Sequence, residues 1–465
     1  MKPDTLIRDC VHDQIFIDPI AKSFLNKNEF ERLSHITQLG LVYKIYPSAT
    51  HNRFSHSIGT YHLSRVLLDS IESETPIEKI IKNSIMIAAL CHDLGHGPFS
   101  HTWEKYLKED ASFKGYCHEE MSCKIIRRMA KKYNDIHTFV QNQEIDLDLI
   151  CDLIRGGPID ESPYNTNELK YIFEIMSNDL NGIDVDKLDY LKRDSFFCGH
   201  SGTVFSLDRF LLLYKPRFIQ LPGESEPAMH MCLKNTEFTI ANTIFSTRNS
   251  FHRSIYKHKT TCCLTVMLLE TLKRNEKNMR FREICYNAFF KEDPEYLEQF
   301  YTLTDPYVYL KMQIEYPKES VLLKRISNRD IYTHLLTKHI VYKDDSLNES
   351  IPEKIILEKT TFINEKVIEE RFKELQSKPD GGDFVFDLQT FKSNSTSRDP
   401  ILCYYQKDNQ KATKYKQLKL IKSHSLYLYW TGSRSDDSTS IVKKQTEEFN
   451  KTLDVIFKDL YKATV

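Results

Sequence analysis

Apolar residues recur at three- and four-residue spacing through residues 1–290, where glycine and proline are sparse. This spacing predicts helices, because it aligns apolar side chains along one helical face. The densest stretch, residues 80–94, has few polar positions and is predicted to form a buried helix. Gly95 and the pair Gly97-Pro98 follow it and are typical of a helix end.

The pattern changes beyond about residue 340. Residues 378–382 read Lys-Pro-Asp-Gly-Gly, a turn or linker signal. Runs of apolar and aromatic residues at 383–387, 401–405 and 426–430 predict strands, and residues 443–462 return to a helical pattern. We therefore predict a mainly α protein, with a helical core over residues 1–290 and a smaller mixed α/β lobe over residues 291–465. We expect the lobe to pack on the core and to take part in oligomerisation.

The charges of the chain nearly cancel, since 64 Lys and Arg face 65 Asp and Glu in 465 residues. This balance gives no overall attraction to nucleic acid or anionic lipid, so an anionic substrate must be held by a local basic cluster. The basic segment at residues 124–132 is interpreted as the solvated face of an amphipathic helix. Nucleic-acid binding is left open.

The expected location of the protein rests on two signals that the sequence lacks. It has no run of 18 apolar residues, and its N-terminus is too polar for a signal peptide. Its 11 cysteines show no paired zinc-ribbon spacing and are expected to be reduced thiols. We predict a soluble, intracellular protein, cytoplasmic or nuclear, without a membrane partner.

The clearest chemistry follows the apolar stretch. The block holds four candidate metal ligands: His92, Asp93, His96 and His101. Imidazole and carboxylate groups suit zinc, iron or manganese, and His56 and Asp186 can supply further ligands. A lone histidine is more often a core or surface residue, and a His-Asp pair by itself arises by chance. Chance is a much poorer explanation for the whole block of three histidines and one aspartate. The residues alone therefore predict a metal-dependent hydrolase.

Further motifs extend beyond this block in a fixed order. They occupy residues 11–13, 30–33, 38–40, 51–57, 92–101, 181–194 and 247–259. Over about residues 6–275 the chain resembles the SAM-and-HD-domain deoxynucleoside triphosphate triphosphohydrolases of the HD-domain superfamily, with looser similarity in the C-terminal strands. Because the resemblance begins near the first residue, we expect the SAM domain to be missing.

The resemblance implies a metal centre and a reaction. The ligands would be His56, His92, Asp93 and Asp186, holding one divalent transition metal (zinc, iron or manganese), with Mg²⁺ on the nucleotide phosphates. The implied reaction is attack of water on the α-phosphorus of a deoxynucleoside triphosphate, releasing a deoxynucleoside and triphosphate. A metal favours this step by lowering the pKa of bound water and polarising a phosphoryl oxygen.

The resemblance also implies a proton-handling group. His101 matches it, positioned by Glu104 and close to His96 and His118. A histidine suits this role because its ordinary pKa is near neutrality. Glu104 stands where the family usually has aspartate, and the extra methylene is expected to shift the orientation of His101.

Cationic positions are implied for the triphosphate, which carries about four negative charges. Arg53, Lys187 and Arg248 match phosphate-binding positions, although an isolated Arg or Lys more often forms a surface salt bridge. Tyr190 matches a residue packed against the sugar and phosphate. His252 belongs to the same set of substrate-binding positions.

Other positions are implied for the sugar. Gln38 and Asp194 match groups that hydrogen-bond the 3′-hydroxyl. Leu39 and Tyr256 match a wall that leaves little room for a 2′-hydroxyl, which a tight apolar contact excludes sterically. Without the motifs, ordinary core packing is the simpler interpretation of Leu39 and Tyr256.

The resemblance weakens at the regulatory positions. Animal members of the family are activated by guanine nucleotides that bind between subunits and drive tetramer assembly. The guanine-reading positions are occupied here by Asn26, Glu31, Ser34 and Ser254. These residues lack the arginines expected to grip a nucleotide anion, whereas His258 and Lys259 match. We expect the guanine-triphosphate switch to be absent or altered, in a homo-oligomer that is a dimer or a tetramer.

Two other functions remain open. An HD-type nucleotidase or phosphodiesterase would act on another nucleotide or a nucleic-acid end, and the sugar-contacting set argues against it. A non-catalytic binding protein could keep the same fold, but the complete set of ligands and acid residues argues against this alternative.

Overall fold

The structure, a computed structural model, describes residues 5–200, 205–221 and 224–342 and the strand segments 354–357, 384–391, 401–404, 412–415 and 423–430, with side chains as far as residue 334. The helices are α1 (Pro19–Leu25), α2 (Asn28–Glu31), α3 (Arg53–Glu72), α4 (Lys79–Cys91), α5 (His101–Lys108), α6 (His118–Lys132), α7 (Asn134–Gln141), α8 (Leu147–Arg155), α9 (Lys170–Met176), α10 (Val185–Phe197), α11 (Leu207–Leu213), α12 (Phe238–Phe251), α13 (Lys259–Met279), α14 (Phe281–Phe290), α15 (Pro294–Thr302), α16 (Asp305–Glu315) and α17 (Val321–Ser327).

The strands of the described residues form a hairpin and two larger sheets. They are β1 (Thr5–Asp9), β2 (Asp13–Ile17), β3 (Tyr214–Ile219), β4 (Ala228–Lys234), β5 (Thr333–Tyr342), β6 (Lys354–Leu357), β7 (Phe384–Phe391), β8 (Ile401–Tyr404), β9 (Ala412–Tyr415) and β10 (Ser423–Trp430). The hairpin pairs β1 with β2, and the sheets have the orders β3-β4-β8-β9 and β6-β5-β10-β7.

The predicted fold class is confirmed, with a helical core and a smaller mixed region after it. The three predicted strand runs correspond to β7, β8 and β10. The linker at residues 378–382 and the helix at residues 443–462 lie outside the described residues. Within the described part of the chain, no helix is both long and apolar enough to cross a membrane.

The helical prediction for residues 1–290 was incomplete, because four strands lie within that range. The hairpin β1–β2 opens the chain, and β3 pairs with β4. Most residues of β3 and β4 are buried, on successive positions. A strand covered on both faces lacks the polar alternation that distinguishes a strand from a buried helix in sequence.

The chain forms two compact units. The first comprises residues 1–251, 275–316 and 394–418, and the second comprises residues 252–274, 317–393 and 419–465. The hairpin and the sheet β3-β4-β8-β9 belong to the first unit, and the sheet β6-β5-β10-β7 belongs to the second. The domain boundary near residue 290 stays a prediction.

Three helices of the first unit, α3, α4 and α10, position the candidate site, and α3 packs against the other two. The helix predicted at residues 80–94 is α4, whose second half is buried. It ends at Cys91, three residues earlier than predicted, and turns follow it, with Leu94 N bonded to Cys91 O and His96 N bonded to Asp93 O. His92 and Asp93 therefore stand in a turn. Consecutive side chains in a helix point about 100° apart, and the turn lets these two point toward the same centre.

Candidate active site

The predicted metal ligands stand at the ends of three helices. Asn52 caps α3 by accepting a hydrogen bond from Ser55 N, and Asp184 caps α10 by accepting one from Lys187 N. These caps place His56 and Asp186 within the first turns of their helices. His92 and Asp93 follow directly after the C-terminus of α4.

The four predicted ligands converge. Ligand atoms of His56, His92 and Asp186 all lie within 4.8 Å of one another. Nε2 of His56 lies 3.0 Å from Asp186 Oδ1 and 3.6 Å from Asp93 Oδ2. Nε2 of His92 lies 3.5 Å from Asp93 Oδ1 and 3.6 Å from Asp186 Oδ1.

The donor set fits a divalent transition metal, because two imidazoles and two carboxylates face one another. Within the described residues, buried His92 Nε2 has no hydrogen-bond partner, although two carboxylates lie near it. Burial lowers the pKa of His56, but the carboxylates of Asp186 and Asp189 outweigh it and raise the pKa to about 10. The carboxylates around His56 thus favour a positive charge at the centre, as a metal site requires.

Arg53 joins the metal centre to the loop after α4. Its Nη1 donates to Asp93 Oδ2 at 2.7 Å, and its Nε donates to Ser100 Oγ at 3.0 Å. Burial raises the pKa of Asp93, but the Arg53 guanidinium holds it well below its usual value, so Asp93 remains a carboxylate. Phe99 and Ser100 both have positive φ angles, 60° and 55°. Such strain in residues other than glycine persists only where the surroundings enforce it.

A second cluster brings together the residues predicted to handle protons. The rings of His96 and His118 stack with centroids 3.9 Å apart, and His101 meets both edge-on. Glu104 Oε2 lies 3.0 Å from His118 Nδ1 and 3.9 Å from His101 Nδ1. The closer partner of Glu104 is therefore His118. The side chain of His101 is 71% exposed, which leaves it open to a substrate.

Helix α10 carries several predicted substrate-binding residues next to Asp186. Lys187 Nζ bonds to Asp184 Oδ2, and Tyr190 OH accepts a hydrogen bond from Arg248 Nε at 3.3 Å. Asp186, Tyr190 and Asp194 recur at four-residue spacing and so lie along one side of the helix.

His51 connects the two residues predicted to contact the 3′-hydroxyl. Its Nε2 lies 2.7 Å from Asp194 Oδ1, and its carbonyl accepts a hydrogen bond from Gln38 N at 3.0 Å. Gln38 Oε1 is buried, and among the described residues it has no hydrogen-bond partner. Leu39 is half-buried beside it.

The remaining predicted positions are distributed over both units. His252 and Tyr256 lie in the second unit, where their ring centroids are 5.1 Å apart, and Ser254 lies in the same π-helical turn. Their substrate or regulatory roles stay predictions. In the first unit, Ser34 Oγ donates to the carbonyl of Glu31 at 2.7 Å, and Asn26 ends α1.

Comparison with known proteins gives the family. A family model described as HD domain matches residues 53–194, a segment that contains the four predicted ligands. A protein of Acanthamoeba polyphaga mimivirus described as HD domain-containing is 30% identical over 376 residues, which are 75% of this chain and 75% of that protein. The chain belongs to the HD-domain family.

Triphosphohydrolases are also among the relatives of this HD-domain protein. The deoxynucleoside triphosphate triphosphohydrolase SAMHD1 homolog of Dictyostelium discoideum is 30% identical over 364 residues, covering 75% of this chain and 64% of the relative. The human deoxynucleoside triphosphate triphosphohydrolase SAMHD1 is 33% identical over 282 residues, covering 57% of this chain and 44% of the relative. The chain thus spans less than two thirds of the length of either relative. The resemblance to this family that the motifs predicted is confirmed.

The HD-domain site also uses residues to which the sequence analysis gave no role. Ser122 on α6 accepts a hydrogen bond from Gly95 N at 2.8 Å and donates to the carbonyl of His92 at 2.6 Å. A Cβ at Gly95 would overlap the backbone of α6 at His118 and Ser122, which explains the glycine. These contacts join segments far apart in sequence, so no local pattern indicates them.

Arg32 is one of these unassigned residues, and we predict a large loss of stability when it is replaced by methionine. The buried guanidinium donates to the carbonyls of Leu94, His96 and Leu303, and burial lowers its pKa to about 10. Leaving buried carbonyls unsatisfied should lower the free energy of unfolding by roughly 3 kcal/mol or more. Denaturant unfolding measures the change.

The matched control for Arg32→Met is Arg127→Met. Arg127 pairs with Asp148 across an exposed surface, with side-chain exposures of 41% and 78%. Exposed pairs contribute about 1 kcal/mol or less. Equal destabilisation by the two substitutions would contradict the role assigned to Arg32.

A pH effect on stability is predicted from Asp305. Its carboxylate accepts hydrogen bonds from Phe99 N and from Thr37 N and Oγ1, and it is buried. Burial, partly offset by those bonds, raises the pKa of Asp305 to about 6. The folded protein therefore binds this proton more tightly than the unfolded chain. The stabilisation is present at low pH and is lost as pH rises through about 6.

Unfolding of the wild type and of Asp305→Asn between pH 4.5 and 7.5 checks this prediction. The difference in unfolding free energy, wild type minus variant, should rise as pH falls, by roughly 2 kcal/mol, because about 1.5 pKa units of the shift lie above pH 4.5. A difference that does not change with pH would contradict it.

Proposed function

We propose that the protein is a metal-dependent deoxynucleoside triphosphate triphosphohydrolase, converting a dNTP and water to a deoxynucleoside and triphosphate. One observation carries the proposal: α10 presents the predicted ligand Asp186, the cation Lys187, Tyr190 and Asp194 along one helix, and Arg248 of α12 donates to Tyr190. This order suits a nucleoside triphosphate, because a metal ligand and cations would face the phosphates and a hydrogen-bond acceptor would face a sugar hydroxyl. The names of the Dictyostelium and human relatives support the same substrate class.

The metal centre would be held by His56, His92, Asp93 and Asp186. A divalent ion there, zinc, iron or manganese, would activate water and polarise a phosphoryl oxygen, with Mg²⁺ accompanying the phosphates. Arg53 keeps Asp93 ionised and oriented through the 2.7 Å contact. We assign it to this role as well as to the predicted contact with phosphate.

Sugar recognition would use Gln38 and Asp194. The buried Oε1 of Gln38 can accept a hydrogen bond from a hydroxyl, and such a bond would satisfy an atom that lacks a partner among the described residues. Asp194 is oriented by His51 and offers a second acceptor. Leu39 and Tyr256 stay predicted as the wall against a 2′-hydroxyl.

His101 would deliver a proton to the leaving 5′-oxygen. Its exposure leaves it free to reach a bound substrate, while Glu104 and His118 lie beside it. Burial lowers the pKa of His96 well below its usual value, so His96 stays neutral and adds no charge to the cluster. Of the three histidines in the cluster, His101 has the most exposed side chain.

Product analysis tests the proposal. The metal-loaded protein is incubated separately with the four dNTPs and the four ribonucleotides, and the products are separated by ion-exchange chromatography. We expect deoxynucleoside and inorganic triphosphate from dNTPs and far less from ribonucleotides. Release of orthophosphate or pyrophosphate would instead support the HD-type nucleotidase or phosphodiesterase. Metal-independent nucleotide binding without turnover would support the non-catalytic alternative.

We predict that the GTP switch of the animal relatives is absent or altered, so that the reaction does not require GTP. Asn26, Glu31, Ser34 and Ser254 replace the groups expected to hold a guanine nucleotide, so added GTP has fewer cationic partners. Rates with a pyrimidine dNTP should change less than about twofold across a GTP titration, because phosphate recognition depends on such cations. A strong requirement for GTP in a nucleotide-free preparation would refute this.

We also propose that the protein is intracellular and forms a homo-oligomer, either a dimer or a tetramer. Sedimentation velocity with and without dNTP measures the assembly state.

A further inference from the structure

A buried chain of polar side chains runs from the metal centre to the N-terminal hairpin. Asp189 lies on α10, three residues after the ligand Asp186, and its side chain is fully buried. Its Oδ2 lies 2.7 Å from Nδ1 of His56, and its Oδ1 lies 2.6 Å from Nε2 of His12. One carboxylate thus joins a predicted metal ligand to the turn between β1 and β2, 177 residues from Asp189.

Arg193 holds the same carboxylate from another side. It donates from Nε to Asp189 Oδ2 at 2.9 Å and from Nη2 to Oδ1 at 3.0 Å. Its Nη1 donates to Asp9 Oδ2 at 2.9 Å, and its side chain is fully buried. A bidentate guanidinium fixes the plane of a carboxylate. Asp189 is therefore held in one orientation by groups from α10 and from the hairpin.

Helix α3 approaches this chain through a residue without a side chain. Gly59 lies three residues after His56, and a Cβ there would overlap the Asp189 carboxylate and the Arg193 guanidinium. Glycine inside a helix is unfavourable. The close approach of the two helices at Asp189 is the physical reason for glycine at this position.

We propose that Asp189 is a positioning residue for His56, and that His12 and Arg193 hold Asp189 in place. A carboxylate only accepts hydrogen bonds, so Nδ1 of His56 donates to it and Nε2 is the nitrogen that faces Asp93 and Asp186. Such a partner fixes the tautomer and the ring orientation of a ligating histidine. The inference rests on the metal centre of the proposed function and does not depend on the identity of the substrate.

Metal affinity tests the inference without reference to activity. Mn²⁺ is titrated by equilibrium dialysis into the metal-stripped wild-type chain of 465 residues and its variants. Asp189→Asn keeps the shape but loses the charge, and it should weaken Mn²⁺ binding about 10–100-fold. His12→Ala should weaken it by roughly three- to tenfold, and His12→Gln, which keeps a donor for Asp189, should recover most of the loss.

Two control pairs separate positioning from general destabilisation. His230 on β4 forms another buried pair, with Nδ1 2.5 Å from Glu174 Oε1. His230→Ala should lower the unfolding temperature and leave the Mn²⁺ affinity unchanged. Gly59→Ala should weaken Mn²⁺ binding, whereas Gly157→Ala, where a Cβ meets nothing within 4 Å, should not.

Mn²⁺ affinities within twofold of wild type for both Asp189→Asn and His12→Ala would overturn the inference, as would a wild type that binds no divalent metal. If Asp189→Asn does not fold, the His12 and Gly59 comparisons decide. A wild type that binds Mn²⁺ but releases no triphosphate rejects the proposed function. In that case the same affinities still decide whether Asp189 positions His56.

Discussion

Replacing His92 with alanine is expected to lower turnover of a dNTP by at least about a thousandfold, because metal activation contributes several kcal/mol to transition-state stabilisation. Nε2 of His92 is buried and faces Asp93 and Asp186, and within the described residues it has no hydrogen-bond partner. Removing this side chain takes away one of the nitrogen ligands that a metal at this centre would need beside the two carboxylates. The variant should also lose bound metal, as measured by elemental analysis after dialysis.

Chelation separates loss of metal from loss of fold in this experiment. Wild type stripped with EDTA should lose activity to a similar extent and regain it when Mn²⁺, Fe²⁺ or Zn²⁺ is added. His92→Ala should not regain activity at the same metal concentrations, while its far-UV circular dichroism stays unchanged. A variant that keeps both its metal and activity within tenfold of wild type would exclude His92 as a ligand.

Replacing His101 with glutamine is expected to lower kcat by about 10²–10⁴-fold, the usual contribution of a positioned general acid. The side chain is 71% exposed at the start of α5, so the substitution should leave both stability and metal content unchanged. The pH profile of kcat should lose the limb that reports the proton donor. Single-turnover kinetics across the pH range measure both effects.

His137→Gln is the matched control, because His137 is exposed on α7 and has no place in the site. It should leave kcat and the pH profile unchanged. If His101→Gln alters only KM, then His101 binds substrate and another group delivers the proton. His118 is then the next candidate, because it lies beside His101 and bonds to Glu104.

Local patterns predicted the parts of the site that are local in sequence. The apolar run before His92 predicted α4, and the dense block after it indicated ligand chemistry. The capping residues Asn52 and Asp184, which place His56 and Asp186, stand directly before their helices, a local signal that was not among the predictions. These features depend on spacing of a few residues, which periodicity and capping rules describe.

The residues that support the site could not be predicted in this way. Asp189 meets His12 across 177 residues, and Asp305 accepts from Phe99 N across 206 residues. An aspartate inside an amphipathic helix resembles a solvent-facing charge until its partners are known. The burial of Arg32 is similarly hidden, because its three acceptors are backbone carbonyls that have no signature in the sequence.

The position of the oxygen supplied by water tests the central claim most directly. A dNTP is hydrolysed by the metal-loaded protein in H₂¹⁸O, and both products are analysed by mass spectrometry. Attack of water on the α-phosphorus, beside His56, His92, Asp93 and Asp186, predicts one ¹⁸O atom in triphosphate and none in the deoxynucleoside. Label in orthophosphate, in pyrophosphate or in the deoxynucleoside would contradict the account.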